Sequence, residues 1–309
     1  MRRATLLILT VAATVISSVP ALAFPGQHRY SRVRAAVVNT RANEYSPAAD
    51  GGYVSWTATA VRRPGRTRVY YSLDGGPRQR ANPPGTRRAW NGGIDGTHLV
   101  YSLFGGGDAN LVLFDMASQT ELSLPAGVNT AAREHSSSIS GDYLLFDRDD
   151  FSGGSRDEDI VLYNTMADEE LILVHTENNN EFYESGQVNG NWAVYFHCQS
   201  SGVCDVLRYD IAEEETVTVP NVGGRQQYSP SVAEDGTVYF VRSRPACGER
   251  VRYMVWDGVA DPSVFTDFRN RRDSFDSFYD DATDSLYYER LSCRDFQSGI
   301  FMKPAAASG

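Results

Sequence analysis

Beyond about residue 30 the apolar residues fall in short runs broken by Gly, Asp, Asn and Pro, and no helical period is sustained. The stretch QYSPSVAEDGTVYFVRS, Gln227 to Ser243, reads as a strand, a tight turn at Asp235-Gly236 and an apolar strand. EYSPAADGGYVSWTA, from Glu44, has the same shape. Aligned on the strand after each turn, the chain yields six blocks: GGYVSWTA, GTHLVYSL, GDYLLFDR, GNWAVYFH, DGTVYFVR and TDSLYYER. Each apolar run ends on an aromatic: Trp56, Tyr101, Phe146, Tyr195, Phe240 and Tyr288, spaced by 45, 45, 49, 45 and 48 residues.

The flanking strands repeat with them. YSPAAD, WNGGID, HSSSIS, YESGQV, YSPSVA and FDSFYD precede the turns; RVYYSLD, NLVLFDM, DIVLYNT, DVLRYDI, RYMVWDG and GIFMK follow. A fourth, weaker strand is clearest in ELSLP, ELILV and ETVTVP. Four antiparallel strands at this period predict a propeller blade, because one blade cannot cover both of its own faces and must stack on neighbours. The fold class is therefore all-β, a six-bladed β-propeller. The blades fall near 44–82, 88–126, 133–175, 182–220, 227–267 and 274–303. The sixth block stops after three strands, and an open edge invites mispairing. RVRAAVVNT, Arg32 to Thr40, is strand-like and placed to complete it.

Composition agrees with a packed β protein. Of 309 residues 41% are hydrophobic and 11% aromatic, including 17 Tyr and 14 Phe, which suit half-buried strands. The first 23 residues, MRRATLLILTVAATVISSVPALA, have a basic start, an apolar stretch and a small-x-small end, the pattern of a secretory signal cleaved near Ala23. An uncleaved anchor is the alternative. The mature chain, 24–309, is expected to be one domain, secreted or periplasmic, and a monomer. The formal charge of −10 disfavours nucleic acid as a partner. Lys303 is the only Lys, a bias typical of a GC-rich bacterial genome.

The repeat YSPS-x-x-x-DG-x-VYF, followed by D-[IV]-x-x-YD-x-x-x-[ET], resembles the repeats of TolB-like propellers over residues 32 to 303; NLVLFDMASQTE, DIVLYNTMADEE and CDVLRYDIAEEE carry the second half. WD repeats match less well: Trp256-Asp257 stands without a Gly-His partner. The resemblance implies the fold and transfers no catalytic residues. The α/β domain that precedes the propeller in TolB and the hydrolase domain of prolyl-oligopeptidase-type proteins have no counterpart in this sequence, so the activities of those proteins do not follow.

Four Cys lie in the second half, and an exported compartment permits disulfides. Cys198 and Cys204 end one hairpin loop, while Cys247 and Cys293 occupy matching loops of blades five and six. The expected pairs are Cys198–Cys204 and Cys247–Cys293.

In a propeller the second-to-third strand loops and the inter-blade loops share one face, and here that face carries the longest insertions. Binding sites concentrate on such loops. Glu44, Arg88, Arg133, Glu134, Glu181, Arg225, Gln226, Arg271 and Asp273 are expected to ring the channel mouth, a polar collar suited to a peptide end or a sugar. The acidic loop of blade three offers Asp149, Asp157 and Asp159 as oxygen ligands for calcium, without EF-hand spacing. There is no G-x-S-x-G elbow. His135, beside Arg133 and Glu134, is the one candidate acid or base for a lyase or hydrolase; alternatively it fills the place of Tyr45 and Tyr228 in their blades. The expected function is a protein- or glycan-binding or scaffold module, with a channel-mouth enzyme as the alternative.

Overall fold

The computed structural model describes residues 36–40, 42–60, 65–86, 88–150, 157–176, 181–243, 251–268, 272–273, 276–292 and 297–305. The chain divides into two compact units, Met1–Val33 and Arg34–Gly309, and the described residues belong to the second. That unit is a six-bladed β-propeller built from six antiparallel sheets. Blade three is typical, running Arg133–Ser140, Tyr143–Asp150, Asp157–Asn164 and Glu169–Thr176 from the axis outward. The repeated aromatics of the second strands, Trp56, Tyr101, Phe146, Tyr195, Phe240 and Tyr288, are all buried and fill the spaces between blades. Aromatic rings meet the need of a blade for large apolar area on both faces.

Blade six is completed from the other end of the chain. Ala36–Val38 pairs antiparallel with Ser298–Pro304, through Ala36↔Phe301 and Val38↔Ile300. The closing strand is shorter than the expected Arg32–Thr40 among the described residues. Its Val38 packs with Ile300, Tyr287 and Trp56, which ties blade six to blade one.

Each of the first five innermost strands slips register at one place, and the slip alternates between blades. In blades one, three and five it follows Tyr45, His135 and Tyr228; in blades two and four it follows Asn91 and Ser185. Extra residues at these bulges bend the strand. In the odd blades the next residue is a serine in the left-handed region, Ser46, Ser136 and Ser229, with φ of 49°, 50° and 50°. The ring is thus three two-blade units, and their contacts repeat. Asn91 Nδ2 donates to the Ser46 carbonyl at 2.8 Å, Ser185 Oγ donates to the Ser136 carbonyl, and Ser277 Oγ donates to the Ser229 carbonyl at 3.0 Å. These bonds satisfy carbonyls that the bulges remove from the ladder.

Cys198 and Cys204 are directly paired across neighbouring strands and form a disulfide, as the loop placement predicts. Cys247 and Cys293 lie outside the described residues.

Candidate functional site

The innermost strands line two cavities on the axis. The upper, of about 270 Å³, lies at the end where the inter-blade and second-to-third strand connections run. Tyr45, Trp90, Ser137, Glu184, Pro230 and Asp276 are on its wall. The lower, of about 250 Å³, lies at the tight-turn end, beside Asp50, Asp95, Asn189, Glu234 and Asp281. Gln187 lines the lower cavity and Phe278 lies where the two meet. Gln187 is 2% exposed; its Nε2 donates to the Tyr279 carbonyl at 2.8 Å, and its Oε1 accepts from the amides of Tyr279 at 3.0 Å and Val232 at 3.2 Å. One side chain of blade four thereby holds blades five and six across the axis. Phe278 borders both cavities.

Three acids of the lower cavity, Asp50, Asp95 and Asp281, are turn caps. Asp50 accepts from the Gly96 amide at 2.5 Å and Asp95 from the Gly141 amide at 2.6 Å, each reaching the turn of the next blade. Asp281 accepts from the Glu234 amide and from Asn189. Burial raises the Asp50 carboxyl above its ordinary range, although the Gly96 amide opposes it, and Asp280, Asp95 and Asp281 push it the same way as burial.

The expected collar residues separate into several groups. Glu44 and Glu134 are fully buried and do not face the channel mouth. Each accepts from the amide and hydroxyl of a threonine four residues earlier, Thr40 or Thr130, and so fixes the turn that leads into its strand. Glu134 also meets Arg148 Nε at 3.3 Å. The loop position suggested exposure; the capping bonds instead draw these carboxylates inward. Burial raises the Glu44 carboxyl, with the Thr40 bonds and Arg78 opposing.

Arg88 and Arg133 do lie together. They border a groove of about 290 Å³ along the Phe104–Asp108 turn. The exposed Arg88 guanidinium sits over the rings of Trp90 and Phe104, at 5.6 and 5.2 Å, and those rings are 5.0 Å apart. Trp90 continues into the upper cavity. An aromatic and guanidinium rim therefore joins groove to chamber.

Glu181 pairs with His197 at 3.3 Å, and the His197 ring stacks on Tyr183 with centroids 4.2 Å apart. Gln226 Nε2 donates to the Gly202 carbonyl at 2.6 Å, linking blade five to the disulfide loop of blade four. Arg225 is exposed, its backbone clasped by Asn221. Arg271 and the side chain of Asp273 lie outside the described residues.

The proposed calcium ligands do not converge within the strands. Asp149 pairs with Glu158, and Asp150 with Asp157, in an unbroken register. Side chains alternate across a sheet, so Asp149 is on one face while Asp157 and Asp159 are on the other. Asp159 contacts His175 at 2.6 Å. Among the described residues no group of three His, Cys, Asp or Glu is arranged to hold a metal ion.

His135 takes the place of Tyr45. The Tyr45 hydroxyl meets Thr59 Oγ1 at 2.8 Å; at the equivalent point His135 Nε2 meets Asp149 Oδ2 at 2.9 Å, and Nδ1 meets Ser136 Oγ at 3.0 Å. Both ring nitrogens are engaged by the protein. Asp147, in the position of Thr57, accepts from the Ser185 amide at 2.8 Å, as Thr57 accepts from the Asn91 amide at 2.7 Å. Burial pushes the Asp147 carboxyl up to about 6, against the opposing pull of His135 and the Ser185 amide. For His135 burial works against the imidazolium, but the Asp149 hydrogen bond and the charges of Asp147 and Asp149 outweigh it and raise its pKa.

Sequence reasoning missed Gln187, Asn91 and the two-blade period. One signal was present: VNTRANEYS from Val38 and VNTAAREHS from Val128 agree at six positions of nine, 90 residues apart. The first is the closing strand with its turn, the second the equivalent connection from blade two to blade three.

Solved structures share this fold at low sequence identity. TolB from Acinetobacter baumannii superposes with a TM-score of 0.54 at 11% identity, over 82% of this chain and 64% of that one. A protein assigned to TolB in Agrobacterium tumefaciens gives 0.56 at 14% identity, over 86% and 92%. The propeller domain of the Trilobed protease from Pyrococcus furiosus gives 0.54 at 10%, over 88% and 97%. That domain is described as having an open velcro topology, whereas here Ala36–Val38 pairs with the last strand. The chain spans 42% of a prolyl endopeptidase that it also matches. No family model and no curated protein matches the sequence. The shared fold is that of TolB-like propellers.

Proposed function

We propose that this propeller is an exported binding module that captures a protein or glycan partner on its loop-rich face, with the upper chamber receiving part of the partner. The carrying observation is the upper cavity on that face, about 270 Å³ and walled by the inner strands of all six blades. The rim of Trp90, Arg88 and Phe104 supplies exposed aromatic and guanidinium surface, the residue types that anchor interfaces. The N-terminal signal pattern and the Cys198–Cys204 disulfide support a secreted or periplasmic location. No helix among the described residues is long and apolar enough to cross a membrane. An enzyme using His135 has less support, because both imidazole nitrogens are committed to Asp149 and Ser136.

The test is site-specific photo-crosslinking in the envelope fraction of the source organism. A benzophenone side chain replaces Trp90 in one protein and Met166, at a tight turn on the opposite face, in another. Defined adducts from position 90 and none from 166 are expected. Adducts from 166 alone would refute the assignment.

A further inference from the structure

The loop-rich face is notched at blade two. The second and third strands of that blade, His98–Gly105 and Asp108–Asp115, are joined by Gly106 and Gly107 alone. Five to seven residues separate the same two strands in the other blades. The groove of about 290 Å³ lies in this notch. Its floor is bare: a Cβ added at Gly105, Gly106 or Gly107 would meet nothing within 4 Å. Phe104 lines it, and Trp90, 37% exposed, packs beside Phe104 and leads to the upper chamber.

Positive charge gathers at the same place. The positions two residues ahead of the repeated inner-strand motifs are Asn43, Arg88, Arg133, Glu181, Gln226 and Asp273. The two cations thus fall on adjacent blades, and both line the groove together with one carboxylate, Asp108. Asp108 Oδ1 accepts from the Ala109 amide at 2.8 Å. In a chain of formal charge −10, a local pair of cations draws anions to that point. Among the described residues the Arg88 guanidinium has ring contacts and no hydrogen bond or ion pair. Other arginines held on rings are bonded as well. Arg148, over Phe146, reaches Glu134, Glu170 and the Gly127 carbonyl; Arg208, over Trp192 and Trp256, donates to the Gly236 carbonyl at 2.7 Å. The donors of Arg88 are therefore oriented by two rings and left for a ligand. A planar guanidinium held in this way is pre-organised for a bidentate carboxylate.

We infer that the notch binds an acidic glycan, with the carboxylate of a uronate residue on Arg88, in the field of Arg133, and the sugar ring against Trp90 and Phe104. A peptide C-terminus fits less well. Such termini are captured in nests of successive backbone N–H groups, built where a right-handed residue meets a left-handed one. Here the chain passes from an extended Gly105 into two glycines of positive φ, 65° and 101°, and forms no nest. This assignment names the ligand class of the binding-module reading and rests on it.

The experiment is thermal unfolding of the full chain with millimolar trimannuronate, trigalacturonate, their methyl esters, the peptide acetyl-Ala-Ala and inorganic phosphate. A ligand that binds only the folded state raises Tm with concentration. A rise with at least one uronate is expected, with none from its ester and a smaller one or none from the peptide and phosphate. Two variants locate the site. Arg88→Gln removes the guanidinium from an exposed side chain. Gly105→Glu leaves Arg88 on its rings and places a carboxylate where there is open space and an ordinary φ. Both are expected to keep a native far-UV spectrum and to weaken uronate binding at least tenfold. Equal responses to acids and esters, a response to the peptide or phosphate as large as to the uronates, no response, or unchanged uronate affinity in either variant would each overturn the assignment. If position 90 still crosslinks a partner while the uronates fail, the acidic-glycan site falls and the binding face stands.

Discussion

Gln187 of blade four and Tyr279 of blade six exchange two hydrogen bonds across the propeller axis, at 2.8 and 3.0 Å, and a third bond joins Gln187 to Val232 of blade five. A buried glutamine carries donors and an acceptor, and here both kinds meet backbone groups that the inner strands leave unpaired. Gln187→Ala strands three backbone groups. We expect it to lower unfolding free energy by about 3 kcal/mol, from 1–3 kcal/mol per orphaned group with partial rescue by water. Gln187→Glu retains the two acceptor bonds and loses the donor to Tyr279; it should lie between alanine and wild type. Chemical denaturation measures both, and a native-like alanine variant would contradict the part assigned to Gln187 in joining blades four, five and six.

Gly92 and Gly186 occupy equivalent positions in blades two and four. A Cβ would stand 2.4 Å from the carbonyl of Ser137 at the first and 2.4 Å from that of Pro230 at the second. Backbone cannot yield as a flexible side chain does, so Gly92→Ala and Gly186→Ala should each cost about 1–3 kcal/mol. Gly105 has open space at its Cβ and an ordinary φ. Gly105→Ala should stay within about 0.5 kcal/mol of wild type in the same denaturation series.

The pH dependence follows from two groups held in their protonated forms, Asp147 as the neutral acid and His135 as the imidazolium. Asp147 is raised from 3.8 to about 6 by burial. Its folded form keeps a proton that the unfolded chain releases, so stability falls as pH rises between about 4 and 6. His135 is raised above 6.5; its contribution is complete below that value and is lost as pH rises through the folded value. Both act in the same direction. Two pKa units on Asp147 correspond to about 3 kcal/mol. Asp147→Asn can still accept from the Ser185 amide, and should flatten the wild-type loss between pH 4 and 6. Parallel profiles for the two proteins would contradict the burial of an ionising Asp147.

The Cys198–Cys204 bridge closes a short hairpin loop and sits beside Gln226, which holds the Gly202 carbonyl. In the chain-entropy model a loop of this size contributes roughly 2–3 kcal/mol. The double variant Cys198→Ser, Cys204→Ser should lose about that much stability and keep a native far-UV spectrum. Loss of the whole fold would mean that the bridge specifies the blade rather than trims its unfolded state.

The ring was legible because each blade must bury an aromatic at the same point of its second strand; Trp56, Phe146 and Phe240 announce the period without help from their surroundings. Closure by the N-terminal strand followed from the missing fourth strand of blade six. Local alternation also held the answer to the calcium expectation: Asp149 and Asp159 sit ten residues apart across a hairpin whose register puts them on opposite faces. Glu44 and Glu134 misled because an acid entering a strand reads as exposed, while its threonine partner four residues earlier signals a cap. Gln187 was not legible. Its partners lie 45 and 92 residues away, and nothing in YESGQV distinguishes an axial bridge from a solvated side chain.

Partner binding on the loop-rich face and its chamber is tested by amide hydrogen exchange, measured with and without the partner captured from position 90. Slower exchange is expected over residues 45–47, 90–92, 136–138 and 184–186, which border the upper chamber, with no change at the tight turns around Gly96, Gly141 and Gly190. Protection confined to those turns, with the upper-chamber amides unchanged, would contradict it.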